Sequence, residues 1–453
     1  MAIDTPTAAT LPTVERRAVL PAGFSAGGVA AGIKASGRPD VALIVATTGQ
    51  AAAAAVFTPN AFAAAPVRRS KANLAATSED RRGAFGFATA VVSTSGCANA
   101  ATGTAGDDDQ AEVGRLVATK LGIEESRVLH LSTGVIGTRL PLDRVARGVD
   151  AVADAATATD AGLAAAAEAL RTTDSRTKVA STTVELPAED GTALPITVSG
   201  IAKGVGMIHP NMATMLSVVL TDAPVAPEVL WGLLRPAAAR TWDQLSVDGD
   251  TSTNDTVFVL ASGAAGAMPV AAGSGAATVL GGAIEAVARD LARQQAADGE
   301  GATTLLTASV SGATDDADAR AIARSIISSS LVKAAAHGKD PNWGRIAGAA
   351  GNAVTASAAV LEASGLTEDE AAARANQPAT IDPDRLRISI AGHLVFDGSQ
   401  GGPLQFDRAA ARASMDAPEL VIELDLGLGD GTGEAFGCDL TEAYVIEDSE
   451  YTT

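Results

Sequence analysis

The sequence predicts a layered mixed α/β protein. Short apolar runs rich in β-branched residues alternate along the chain with Ala-rich segments of helical periodicity. Hydrophobic residues make up 47% of the 453 positions but aromatics only 3%, so the core must be built from Ala, Val, Leu and Ile. That length suffices for two or three domain-sized cores, and a chain this apolar folds rather than staying disordered.

The strand candidates begin with Val41–Ala46, Ala90–Thr94 and Val128–Ser132, each a β-branched or Leu-rich run. Helical periodicity marks Asp107–Leu121, whose three opening aspartates suit the positive end of a helix dipole, and then Leu142–Leu170. Strands are predicted at Pro195–Ile201, Leu216–Thr221 and Thr256–Ala261, with a helix at Pro227–Trp242 between the last two. Helix Ala277–Ala296 places Leu280, Ile284, Val287 and Leu291 on one face, a core stripe. Strand Thr304–Val310, helix Ala317–Ala336 and strands Leu386–Ile390 and Leu420–Leu426 complete the set. Breaks fall at Gly263–Ala276 and at the charged, proline-bearing Thr367–Asp384, which reads as a surface loop or linker. The alanine tracts Ala51–Ala55 and Ala164–Ala167 read as composition rather than architecture.

Formal net charge is −20 and the sequence pI about 4.6, a surface that repels phosphate backbones and anionic lipid. Nucleic acid and membrane are therefore not expected partners. Cys97 and Cys438 form neither a disulfide framework nor a metal-ligand spacing. The first twenty residues lack a secretory pattern, and no apolar run has membrane-spanning length, so a cytoplasmic location is expected.

The most informative stretch is Lys203–Leu216, KGVGMIHPNMATML. A threonine that follows a Gly- and Pro-bearing turn and precedes a strand suits backbone self-cleavage. The Thr214 hydroxyl would attack the Ala213 carbonyl, move the acyl chain onto oxygen and let water free a new N-terminus. An α-amino group has a reference pKa of about 7.7–8.0, against ~10.4 for lysine, so it accepts a proton near neutrality. Nucleophile and general base would then share one residue. An Ala–Thr step alone is ordinary; its surroundings give it weight.

Those surroundings resemble the ornithine acetyltransferase family, the self-cleaving bifunctional glutamate N-acetyltransferases of arginine biosynthesis. Besides the Thr214 stretch, the resemblance rests on residues 23–49, Leu131–Gly137 (LSTGVIG), Ser246–Thr256 (SVDGDTSTNDT), Asp298–Thr303 (DGEGAT), Asp340–Ile346 (DPNWGRI), Gly437–Thr441 (GCDLT) and the ending Tyr451–Thr453. It implies an α-β-β-α sandwich with a smaller α/β domain, cut into chains 1–213 and 214–453 that build one folded unit. It also implies acetyl transfer from N²-acetylornithine to glutamate through an acetyl-Thr214 ester, without cofactor or metal, in a heterotetramer of the two chains. Thr133 and Gly134 would supply the oxyanion hole. Substrate contacts would come from Thr172 or Thr173, Lys203, Thr214, Glu300, Asp448 and Thr453. The chemistry fits an amino-acid substrate, since Lys203 can hold an α-carboxylate and Glu300 an ammonium group.

Other motifs carry less. Counted from Asp248, SVDGDTSTNDT fails as a calcium loop, with Thr253 at the glycine position and Val259 at the glutamate position. Gly23–Gly27 (GFSAG) fits a serine nucleophile elbow around Ser25, but no clear strand precedes it and a glycine-rich loop is the plainer reading. Of the four histidines, His130 and His393 lie in or beside strand patterns and read as structural.

Several positions depart from the family pattern: Thr304 where a lysine is common, Asp448 for an asparagine, Cys97 for an asparagine, His337 for an aromatic and Arg171 for an apolar residue. Losing a lysine and gaining an aspartate would lower the pocket's charge. Three readings therefore stay open beside the transferase: a diverged self-cleaving paralogue with another amino-acid substrate, an amidase or aminopeptidase of the same layered type, and a pocket that only binds.

Overall fold

The computed structural model describes residues 11–209 and 215–450. Ala213, Thr214 and Thr453 lie outside the described residues.

The first half of the chain runs β1 (Phe24–Val29), β2 (Val41–Ala46), β3 (Ala51–Phe57), α1 (Ala65–Ala76), β4 (Phe85–Ala88), β5 (Ala90–Cys97) and α2 (Gly103–Leu121). It continues through β6 (Val128–Val135), α3 (Leu142–Ala155), α4 (Asp160–Leu170), β7 (Lys178–Pro187) and β8 (Ala193–Lys203). After the 204–215 connection come β9 (Leu216–Thr221), α5 (Pro227–Arg240), β10 (Leu245–Ser246), β11 (Thr256–Ala261) and α6 (Gly275–Ala297).

These elements form four layers. One sheet has strand order β1-β2-β5-β6 and the other β4-β3-β11-β9-β8-β7. The side-chain period of a strand is two, so each central strand supplies both of its faces. In β11, Phe258 and Leu260 enter the core between the sheets, while Val257 and Val259 pack beneath α5 and α6. In β2, Ala42 and Ile44 face the second sheet, whereas Val41 and Leu43 pack with Val113 and Val117 of α2 and Val145 and Val149 of α3. Strands covered on both faces read as unbroken apolar runs. The layering is thus α2/α3, sheet, sheet, α5/α6, the sandwich that the sequence implies.

The remainder forms a third sheet of order β10-β17-β12-β16-β13-β14-β15. Its strands are β12 (Leu305–Ala313), β13 (Arg387–Ile390), β14 (His393–Asp397), β15 (Gly402–Pro403), β16 (Glu419–Asp425) and β17 (Gly431–Cys438). A separate core gathers Leu306, Ile322, Ile326, Ile388 and Ile422 against α7 (Asp316–Ser328), with α8 (Ser330–His337) and α9 (Trp343–Gly351) following. Helices α10 (Ala358–Ala363), α11 (Glu368–Arg374) and α12 (Arg408–Ser414) are peripheral, and α13 (Glu442–Glu450) closes the chain.

Several expectations need correction. Leu142–Leu170 is two helices, because Thr157 bridges Ala26 of β1 and Thr159 restarts the chain by capping the Gly162 N–H. Ala317–Ala336 is likewise divided by Ser329, which caps the Val332 N–H. Helix α2 begins at Gly103, so the three aspartates miss its first turn; Asp107 pairs with Arg68 and Asp109 with Arg139 instead. The Ala51–Ala55 tract is strand β3, with Ala52 and Ala54 in one core and Ala51, Ala53 and Ala55 in the other. Thr367–Asp384 contains α11, started by a capping box between Thr367 and Glu370. The GFSAG segment is not a loop: Ser25 lies on β1, paired with Val45.

Candidate active site

The site arises where strand ends of both sheets meet. β8 and β9 are antiparallel neighbours with Lys203 opposite Leu216, so Gly204 and Met215 sit at one end of the sheet. β11 runs parallel to β9 with Thr256 beside Leu216, which brings residues 252–255 to the same end. In the facing sheet, parallel β5 and β6 end there too, and β6 carries Thr133 and Gly134. A cleft of about 150 Å³ opens between them, lined by Thr133, Gly134, Thr172, Thr173, Lys203, Asp248, Asn254, Glu300, Tyr444 and Asp448 among others. The cleft thus collects every substrate and oxyanion residue expected from the sequence that falls within the described part. Both threonines of the 172–173 step line it.

Lys203 is the cationic centre. It is 3% exposed, and its ammonium donates to Thr133 Oγ1 at 3.3 Å, joining the two sheets. Burial lowers its pKa from the usual lysine value, opposed by the charge of Asp174. Gln295 of α6 holds the Lys203 carbonyl at 2.8 Å. Thr133 accepts from Lys203, so its own O–H can be turned into the cleft. Gly134 has φ +128°, and a Cβ there would strike the Gly96 backbone of β5, so only glycine allows this close parallel pairing. The Thr–Gly pair lies inside β6, which extends to Val135, rather than beyond its end.

Glu300 faces Lys203 from the turn after α6. Thr173 Oγ1 donates to its carboxylate at 3.1 Å, and its N–H bonds to the Val205 carbonyl at 2.9 Å. The carboxylate lies against Gly206, where any Cβ would collide with it. Burial, then the negative charge of Asp448, raises Glu300 to about 7. Asp448 arrives on α13, whose start is fixed where the Thr441 hydroxyl donates to the Gly301 carbonyl at 2.7 Å.

Four acidic groups were not singled out from the sequence. Asp174 and Asp298 hold Lys178 between them at 2.6 Å each, and all three side chains are buried. Asp174 also accepts the Gly204 N–H at 2.8 Å. Burial alone would raise its carboxyl, but Lys203 and Lys178 override it and hold the group well below the usual carboxylate range. Asp248 accepts the N–H groups of Met207, Ile208 and Asp250, yet burial still raises it to about 6. Through these bonds Asp248 ties SVDGDTSTNDT to the 207–208 segment. Asp255 is fully buried and accepts the Met215 N–H at 3.0 Å, immediately after Thr214 in the chain. Burial raises its carboxyl well above the ordinary value. Asn254 ties the sheets by donating to the carbonyls of Ala98 and Ser132 at 2.7 and 2.8 Å.

Most positions that depart from the family pattern sit away from the cleft. The Thr304 hydroxyl is buried and accepts from Lys339 Nζ at 3.1 Å. The Cys97 thiol bonds to the Thr138 carbonyl at 3.2 Å. His337 lies between Asp439 and Glu442, 3.2 Å from each. Arg171 donates to the Asp174 carbonyl at 2.7 Å and pairs with Glu168 at 2.6 Å. The expected loss of a cleft lysine at 304 is therefore corrected, and Asp448 is the departure that lines the cleft. Elsewhere, His130 is fully buried on β6 against Gln110 at 2.9 Å, where burial lowers it to about 3. Among the described residues, no helix is long and apolar enough to cross a membrane.

Comparison with known proteins places the whole chain in one family. The ArgJ family model matches residues 25–453. The arginine biosynthesis bifunctional protein ArgJ of Synechocystis is 40% identical over 97% of this chain and 98% of its own length. That of Thermus thermophilus is 42% identical over 96% of this chain and 99% of its own. A crystal structure of ornithine acetyltransferase from Mycobacterium tuberculosis, complexed with ornithine, is 38% identical over 44% of this chain and 98% of that one, with a TM-score of 0.38. Matched from its first strand to its last residue, and by relatives nearly end to end, the chain belongs to the ArgJ family.

Proposed function

We infer that this chain is an acetyltransferase of arginine biosynthesis, moving acetyl from N²-acetylornithine to glutamate through a threonine ester. The observation that carries the reading is the single cleft joining Thr133 and Gly134 of one sheet to Lys203 and Glu300 of the other. Relatives matched end to end carry the arginine-biosynthesis name, which favours it over a paralogue with another substrate.

The reaction begins with cleavage. Thr214 Oγ attacks the Ala213 carbonyl, the C–N bond breaks to free the Thr214 α-amine, and water hydrolyses the ester to give the Ala213 carboxylate and the Thr214 hydroxyl. β8 and β9 stay hydrogen-bonded across the cut, so chains 1–213 and 214–453 remain one unit; two such units would give the heterotetramer, working in the cytoplasm. In turnover the α-amine takes the Thr214 hydroxyl proton as Oγ adds to the acetyl carbonyl. Thr133 Oγ–H and Gly134 N–H receive the developing oxyanion. Ornithine leaves with the proton, the glutamate α-amine attacks the acetyl ester, and N-acetylglutamate departs. Lys203 holds the α-carboxylate, Glu300 and Asp448 face the side chain, and Thr172, Thr173 and Thr453 complete the contacts. No step calls on a cofactor.

The test is product analysis with purified protein, N²-acetylornithine and glutamate. N-acetylglutamate formed in step with ornithine supports transfer; acetate formed regardless of glutamate would support an amidase instead. Thr133→Val keeps the β-branched shape and removes the hydroxyl. It is expected to lower kcat by about 10²–10³-fold, with the melting temperature little changed. A loss below threefold would remove Thr133 from the oxyanion hole.

A further inference from the structure

The acetyl-transfer reading puts two substrates of opposite side-chain charge in one place. Ornithine brings a δ-ammonium and glutamate a γ-carboxylate, and both must sit with their α-carboxylate on Lys203, the one cation among the described residues that line the cleft. Glu300 and Asp448 open on the same cleft from separate elements, the turn after α6 and helix α13. We propose that this carboxylate pair is the specificity device that lets one cleft take a cationic and then an anionic side chain, shedding a proton for the first and taking one up for the second.

The surroundings leave this pair to do it. Around Glu300 stand Lys203 from β8, Asp248 and Asp250 from the loop after β10, Tyr444 and Asp448 from α13, and Thr173 with the Asp174–Lys178 pair behind it. Lys203 is engaged with Thr133, and Lys178 is closed between two aspartates. Asp174 is stabilised as an anion by those lysines, and Asp248, though raised to about 6 by burial, has both oxygens taken up by three backbone N–H groups. Asp448 is exposed on α13, in reach of solvent protons. Two like charges sharing a site disfavour each other's ionisation, and an incoming ammonium reverses that bias. Burial and the charge of Asp448 raise Glu300 to about 7. With an ammonium present the pair releases its proton to water; with a γ-carboxylate it draws one from water and can donate a hydrogen bond to it.

The inference rests on the transfer reading, so the experiment reports on each separately. Acetyl-enzyme is offered ornithine and glutamate together, and the two N-acetyl products are counted by mass spectrometry from pH 6 to 9. Both acceptors attack through an α-amine, so the product ratio isolates the side chain. The ornithine-to-glutamate ratio is expected to rise up to about tenfold across pH 7, as it would if the pair bound its proton about tenfold more tightly beside glutamate than beside ornithine. Asp448→Asn should lower the ratio by up to about fivefold, the range for an exposed charge, and move its midpoint to lower pH. Glu300→Gln should flatten the profile. A flat wild-type ratio, or one that neither variant moves, overturns the proposal. Absence of transfer to either acceptor refutes the proposed function instead.

Discussion

Replacing Thr214 by alanine is expected to leave the purified chain whole, while the parent yields fragments 1–213 and 214–453. Transfer should then fall to background, because nucleophile and base are lost together. The grounds lie on both sides of the cut. Lys203 ends β8 and Leu216 starts β9, directly opposite each other, so the two strands that flank the cut are paired at their ends. Asp255 fixes the Met215 N–H, and Asp248 fixes those of Met207 and Ile208. A peptide tethered at both flanks has fewer conformations to search before attack, which is how positioning lowers a barrier. Intact mass decides the matter. Thr214→Ser retains a hydroxyl and should still split, so a serine variant that stays whole, or an alanine variant that splits, refutes the mechanism. In that case the cleft's residues would bind substrate without a nucleophile whose base is its own amine.

The strands of the sandwich were legible in the sequence for physical reasons, whereas its layering and site residues were implied by the family resemblance. β2, β9 and β11 match their predicted bounds because strands covered on both faces must be continuously apolar. Thr133, Lys203 and Glu300 could be named because the motifs that carry them are local and the cleft gathers them. Where a signal depended on distant partners, the sequence was silent. β3 is five alanines and two larger residues, which carry no periodicity, yet both its faces are core. Asp174 and Asp298 were visible inside the Thr–Thr–Asp and DGEGAT blocks, but nothing marked Lys178 as the cation between them, 120 residues from one partner. Thr304 and His337 were judged by alignment to a pattern, whereas their side chains face Lys339 and Asp439 rather than substrate.

That lysine gives the second large effect. Lys178→Met should destabilise the protein by about 3–5 kcal/mol, the cost of leaving buried charges uncompensated. Lys178 is fully buried, with Asp174 and Asp298 at 2.6 Å, and methionine fills its volume without its charge. An apparent melting temperature lower by roughly 3–5 °C is expected. The pH dependence has a definite sign. Asp174 is held below the usual carboxylate range when folded, so its contribution is complete above its unfolded pKa of about 3.9 and is lost as the pH falls below that. The parent should therefore lose stability on acidification below about pH 4, and Lys178→Met should show less of that loss, having less to lose. Adding Asp174→Asn to Lys178→Met removes one of the stranded charges while keeping an oxygen for the Gly204 N–H, and should recover part of the melting temperature. It should not improve activity, because Lys203 then loses the Asp174 charge that favours its ammonium form. Recovery of stability without kcat/KM is the pattern of a network that sets the charge of the cleft as well as its shape; recovery of both would reduce Asp174 to a structural group.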